Sequence, residues 1–119
     1  MREERGTISG DVVVYELFTL WGKVAGNITV VDGGKLYMRG SVYGDINVAP
    51  GGRAHIFGNV QGNVEVQTGG KLVHSGVIGG DLTNLGGRIH VDLQSKVMGK
   101  IKTKEGETNF ETPMRLPKD

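Results

Sequence analysis

Three copies of one 18-residue unit run from Gly22 to Ser75 without a gap: GKVAGNITVVDGGKLYMR, GSVYGDINVAPGGRAHIF and GNVQGNVEVQTGGKLVHS. Each has glycine at its first and fifth places, Asp or Asn at the sixth, and Gly-Gly-Lys/Arg at places twelve to fourteen. Self-similarity at a short fixed period marks a chain that coils, one supersecondary unit per turn. No single turn can bury its apolar face alone. The pattern extends both ways. A 16-residue copy opens at Gly6, with Tyr15, Glu16 and Leu17 where later copies turn through Gly-Gly. A fifth copy opens at Gly76 and reaches Gly86-Gly87-Arg88 one residue early. A sixth, Lys96 to Ile101, is partial, with Lys100 in the Asp/Asn place. After Lys104 the pattern stops, and Phe110, Met114 and Leu116 are the apolar residues of a stretch without period. The expected division is a short lead over 1–5, a coil over 6–103 and an irregular tail over 104–119.

Within the units the apolar residues form columns. One holds Ile8, Val24, Val42, Val60, Ile78 and Val97; a second holds Val12, Ile28, Ile46, Val64, Leu82 and Ile101. Others hold Val14, Val30, Val48 and Val66, and Phe18, Leu36, Ala54, Leu72 and Ile89. Pairs such as Ile28/Val30 and Leu36/Met38 lie two apart, the spacing of a strand with one buried face. No stripe recurs at helical spacing. Short strands with glycine corners predict an all-β chain, a single-stranded parallel β-helix of about six turns, stacked ~4.8 Å apart. Apolar residues also recur every six places, the rhythm of the left-handed β-helix of acyltransferases. The Gly-Gly pair comes once in 18 residues, so the three sides are unlike, and the right-handed coil is the favoured reading.

Composition narrows the function classes. Most of the 21 glycines fall at fixed columns, which argues for turns rather than low complexity. A formal net charge of +1 gives no footprint for nucleic acid. Without cysteine there is neither a disulfide framework nor a thiolate metal site. The three histidines form no metal triad, GGxGxDxUx does not occur, and no nucleophile motif or phosphate loop is present. No cofactor and no enzyme activity is expected. MREERGTISG lacks the apolar core of a signal peptide, and no run nears the ~18 apolar residues of a span. The expected location is the cytoplasm, with membrane association left open.

The runs Gly22 to Ile28, Gly40 to Ile46 and Gly58 to Val64 read Gly-x-Val-x-Gly-Asp/Asn-Ile/Val, with weaker matches at Gly6 to Val12 and Gly76 to Leu82. In these units the chain resembles the bactofilins, bacterial cytoskeletal proteins that form polymers. The resemblance covers about residues 6 to 103. It implies a right-handed β-helix that joins end to end into nonpolar filaments without a nucleotide. It also implies a scaffolding role beside a membrane surface or cell-wall enzymes. Two features depart from that family. The Gly-Gly-Lys/Arg corner is unusually regular, and the expectation from the repeats opening at Gly6 is a short lead, where the family often keeps a long N-terminal segment with a membrane-targeting piece.

Four surfaces are candidates. The tips of such a coil leave open N–H and C=O groups, a template for a second copy. The end-to-end joint would use Ile8, Val12, Val14, Val97, Ile101 and Phe110. Capping by Arg2 to Arg5 and by the tail is the alternative. The ladder Lys35, Arg53, Lys71, Arg88 repeats one cation per turn and is the candidate for an anionic contact, a membrane surface included. The bland reading is a solvated corner that discourages lateral pairing. The outward set Tyr15, Trp21, Tyr37, Arg39, Tyr43 and Phe57 is the candidate lateral partner surface. It carries a second functional reading, a monomeric binding module of immunity or adaptor type. The fourth, Asp11, Asn27, Asp45, Asn63 and Asp81, reads as structural, bonding local backbone. His74 takes an inward column place.

Overall fold

The computed structural model describes residues 2–111. All its strands pair in parallel, and the chain winds as a β-solenoid of about six turns, 18 residues apart in the full copies. One turn shows the plan. Lys23–Ala25 lies on a first face, Ile28–Val30 on a second and Lys35–Met38 on a third. Strands of the first face make a six-stranded sheet. The second and third faces merge in an 11-stranded sheet, because Leu82–Val91 and Ile101–Phe110 each run unbroken through the corner between them. The fifth copy's shortened corner explains the first of these long strands.

The columns stack as the two-residue spacing requires. Ile8, Val24, Val42, Val60, Ile78 and Val97 are register partners in series. So are Val12, Ile28, Ile46, Val64, Leu82 and Ile101. Val24, Ile28, Val30, Leu36 and Met38 are all fully enclosed. Burying each such side chain is worth roughly 1.5–3 kcal/mol before ordering costs. Among the described residues there is no helix, so none is long and apolar enough to cross a membrane.

The glycines serve two different needs. Gly33, Gly51 and Gly69 turn the Gly-Gly corner with φ near +80°, a conformation costly for other residues. Gly22, Gly40, Gly58 and Gly76 need no unusual φ; a Cβ on any of them would meet the carbonyl oxygen of the equivalent glycine one turn below.

At the corner between first and second faces the Asp/Asn residues bond along the axis. Each side chain accepts from the backbone N–H of its counterpart in the next turn. Asn27 N donates to Asp11 Oδ1 (2.9 Å), Asp45 N to Asn27 Oδ1 (2.7 Å), Asn63 N to Asp45 Oδ1 (2.7 Å) and Asp81 N to Asn63 Oδ1 (2.8 Å). The bonds reach the next turn rather than local backbone, because the N–H of the equivalent residue lies one strand spacing away. Lys100 N ends the series on Asp81 Oδ1 at 2.8 Å, and Lys102 Nζ lies 3.3 Å from Oδ2. Both hold the Asp81 carboxyl below its ordinary range, the backbone bond first.

Two boundaries differ from the sequence reading. Arg2–Glu4 is a strand, not a loose lead: it pairs with Phe18–Leu20 and its Glu4 carbonyl accepts from Trp21 N and Gly22 N. Ile101–Phe110 is a strand along Leu82–Val91, so residues 104–110 belong to the coil rather than to an irregular tail. Backbone pairing is indifferent to side-chain type, and here Thr103 and Thr108 take inward places and bond each other at 2.7 Å. Gly106, at φ +84°, turns the corner without a Gly-Gly pair. Met114 and Leu116 lie outside the described residues.

Candidate functional site

The third face gathers most of the chemistry. Register stacks Lys35, Arg53, Lys71 and Arg88 in one exposed column, bounded by Leu17 below and Glu107 above. The ion pairs among the described residues are Arg5–Glu3, His90–Asp92 and Lys102–Asp81, none of which touches the ladder. Lys35 Nζ stands 5.3 Å from the Tyr37 ring. Beside the ladder the paired glycines leave a notch. Its hollows measure about 330 Å³ between Asp32, Lys35 and Arg53, and about 500 Å³ between Lys71, Arg88 and Glu107. A third, about 260 Å³, opens over Ala54, whose small side chain sits between Leu36 and Leu72 in its column, with Tyr37 and His55 alongside.

The corner between third and first faces carries a second series. Arg5 and Arg39 each stand 5.2 Å from the Trp21 ring on successive turns, and Arg39 also lies 4.2 Å from Phe57. His55 stacks on Phe57 with ring centroids 3.7 Å apart. Trp21 Nε1 donates to Glu3 Oε1 at 2.9 Å. The aromatic rings are therefore occupied by the chain's own cations. The proposed partner set also divides: Trp21, Tyr37, Arg39 and Phe57 come together, whereas Tyr15 falls at the Gly-Gly corner and Tyr43 beside the Gly-Asx corner. Both are exposed but share no face with the rest, since successive corners of a three-sided coil point apart.

Above Phe57 the same column turns polar, through Ser75, Asp92 and Glu111. Ser75 Oγ donates to Asp92 and receives His55 Nε2 at 3.0 Å; His90 Nε2 meets the other Asp92 oxygen at 3.0 Å. Burial lowers the His55 pKa, Asp92 opposing and Arg39 adding to the fall. His90, Asp92 and Glu111 form the metal-capable grouping among the described residues, with ligand atoms within 4.8 Å of one another. Their own contacts already account for them, since Leu93 N also donates to Glu111 Oε1 at 2.7 Å. Adding about one repeat at a time to Phe57 finds Ser75, then Asp92, then Glu111; the sequence reading ends at the aromatics.

The tips are unlike. At the N-terminal tip Arg2 and Glu4 occupy the inward columns over Phe18 and Leu20, the Arg2 guanidinium 5.5 Å from the Phe18 ring. Ile8 and Val12 are half-buried there, and Val14, 2% exposed, is core rather than joint, lying inward in a turn whose third face the added strand extends. At the C-terminal tip Ile101 and Phe110 stand in inward columns with 37% and 54% of their surfaces open. Together with half-buried Val97, exposed Leu93 and the polar Asp92, Ser95 and Glu111 they line a hollow of about 260 Å³. Among the described residues no strand pairs with the outer edge of Ile101–Phe110.

Fold and surfaces define the class: a three-sided parallel β-solenoid with a basic notch, a cation–π corner and a tip where Ile101 and Phe110 stand open. No family model, curated protein or solved structure matches this chain.

Proposed function

We propose that this chain is a non-enzymatic, bactofilin-like scaffold of the cytoplasm that assembles end to end, and that its first joint is C-terminal tip to C-terminal tip. The observation that carries the reading is the contrast between the tips. Charged residues at inward places on an edge strand discourage pairing, and apolar ones beside open backbone invite it. Arg2 and Glu4 blunt one end, whereas at the other Ile101 and Phe110 stand open beside the uncharged Thr103 and Thr108. Because the same patch on two copies is self-complementary, the joint closes as a pair of rods around a two-fold axis. Growth beyond the pair must use the exposed edges at Ile8 and Val12. A lateral binding module is the weaker reading, since the aromatics divide between corners and spend their ring faces on Arg5 and Arg39.

Light scattering on size-exclusion fractions, with electron microscopy of the same fractions, tests this. Dimers or longer rods are expected in low and high salt, with Phe110→Glu shifting them to monomer at unchanged circular dichroism. A strictly monomeric wild type at high concentration removes the scaffold reading.

A further inference from the structure

We propose that the basic ladder and the notch beside it bind a linear acidic polysaccharide carrying one carboxylate per sugar. The starting point is that the ladder is unexplained by the fold. Lys35, Arg53, Lys71 and Arg88 stack like charge on like charge, an unfavourable arrangement in a sheet, and none has a carboxylate partner among the described residues. Surface cations commonly guard an exposed strand edge. That reason does not hold here. Hydrogen bonds run along the solenoid axis, so its edges are the tips, and a corner column has no edge to guard.

Geometry then selects the ligand. The cations repeat once per turn, at the ~4.8 Å spacing of neighbouring strands, about the length of one sugar unit in an extended chain. They stand beside two hollows lined by glycine backbone, one at Gly33, Gly34 and Gly51 and the other at Gly69, Gly70 and Gly87, where exposed Gly33, Gly51 and Gly69 carry no side chain to obstruct a ligand. Leu17 ends the series below and Glu107 above, which sets the site at four charges. Single-stranded nucleic acid is disfavoured because its binders offer free aromatic faces. Here Trp21 and Phe57 are covered by arginines, and Tyr37 by Lys35. A bilayer is disfavoured because the notch wall opposite the ladder runs through Asp32, Pro50 and Thr68, which leaves Tyr15 at the lower end of that corner as a lone large side chain to insert among the described residues.

The proposal stands apart from the assembly reading, since the ladder lies on the side of the rod and the joint at its tip. Fluorescence anisotropy with labelled polygalacturonate is the test, at low and high salt. Binding that weakens with salt is expected, with Arg53→Gln and Lys71→Gln each weakening it roughly tenfold, as loss of a charge-assisted contact does. Lys23→Gln, on the first face, should leave it unchanged, and fully methyl-esterified polymer should not bind. Circular dichroism melts of each variant separate lost contacts from lost fold. Absence of binding at low salt overturns the proposal, as does binding that the ladder variants leave intact. Ladder-dependent binding to phosphatidylserine vesicles or single-stranded DNA instead of the polymer overturns it equally.

Discussion

The two uses of glycine make opposite demands on a methyl group, so Gly58→Ala and Gly69→Ala should differ sharply. At Gly58 the backbone needs no positive φ, but the new Cβ would run into the Gly40 carbonyl oxygen and crowd the Arg39 carbonyl at 2.8 Å. That Gly40 oxygen accepts from Asn59 N at 3.0 Å, and Gly58 N donates to Met38 O at 3.0 Å. Moving the turns apart strains both bonds, about 1 kcal/mol net each. Overpacking a rigid backbone adds ~1–3 kcal/mol. The sum is about 3–5 kcal/mol, much of the ~5–15 kcal/mol of a typical domain. At Gly69 the nearest atoms to a new Cβ are those of Pro50 at 3.8 Å, so space is free. The cost there is the left-handed conformation at φ +83°, roughly 1–2 kcal/mol. Asn tolerates that region better, so Gly69→Asn should recover part of the loss. Urea unfolding followed by far-ultraviolet circular dichroism gives all three values. If Gly58→Ala costs no more than Gly69→Ala, close approach between turns is not what these glycines secure.

Further predictions follow from single contacts. Asp45→Asn keeps the oxygen that accepts from Asn63 N and should change stability by less than about 0.5 kcal/mol, whereas Asp45→Ala loses ~1 kcal/mol in the same unfolding assay. Asn84, 1% exposed, accepts from Gly86 N and Gly87 N and donates to Glu107 O. Asn84→Leu strands those groups, and at ~1–3 kcal/mol for each unsatisfied one the thermal midpoint should fall more than for any surface change. His74 is fully buried, its Nε2 donating to Lys96 O at 2.9 Å and its Nδ1 without a partner. Burial lowers its pKa from 6.5, against opposing pulls from the Lys96 carbonyl and Asp92. The unfolded chain therefore takes up the proton first as pH falls below 6.5. Stability is full above that value and declines towards the folded-state pKa, and His74→Leu should flatten this slope in melts across the range. A double-mutant cycle on Trp21→Ala and Arg39→Ala should give a coupling of about 0.5–1 kcal/mol, the scale of an exposed cation–π contact.

The interior was legible in the sequence because a repeated turn forces like onto like. Ile28, Ile46 and Val64 recur at one period and two-residue offsets, and the structure stacks them as register partners. The ladder Lys35, Arg53, Lys71, Arg88 was equally visible, since a column needs only the period. What the period could not show is which columns share a face. Tyr43 and Trp21 look alike in a linear reading, yet they fall at different corners, so the aromatic set came apart. The terminal strands were missed for another reason. Arg2–Glu4 and Ile101–Phe110 carry Arg, Glu and Thr at places where the repeat has Val, Leu and Met, and pairing there is carried by backbone that leaves no compositional trace. Asn84 was hidden because it fills a valine place with an amide, which only the shortened corner at Gly86-Gly87 makes use of.

A coil of near-identical turns has few places where one residue can be special. Its sides repeat, so a lateral site built on an unbroken column favours a ligand that also repeats at the strand spacing; its tips do not repeat, so single contacts decide what happens there. The departures in this chain follow that division. The unbroken columns supply the ladder, where cations without a carboxylate partner among the described residues stand at every turn from Lys35 to Arg88. The broken turns supply the tips, where Arg2 and Glu4 replace apolar residues at one end and Phe110 stays half open at the other. Exchanging those features separates the two roles. Placing Glu at 110 should abolish pairing of rods while leaving polymer binding intact. Neutralising Arg53 and Lys71 should do the reverse, because the two surfaces share no residue.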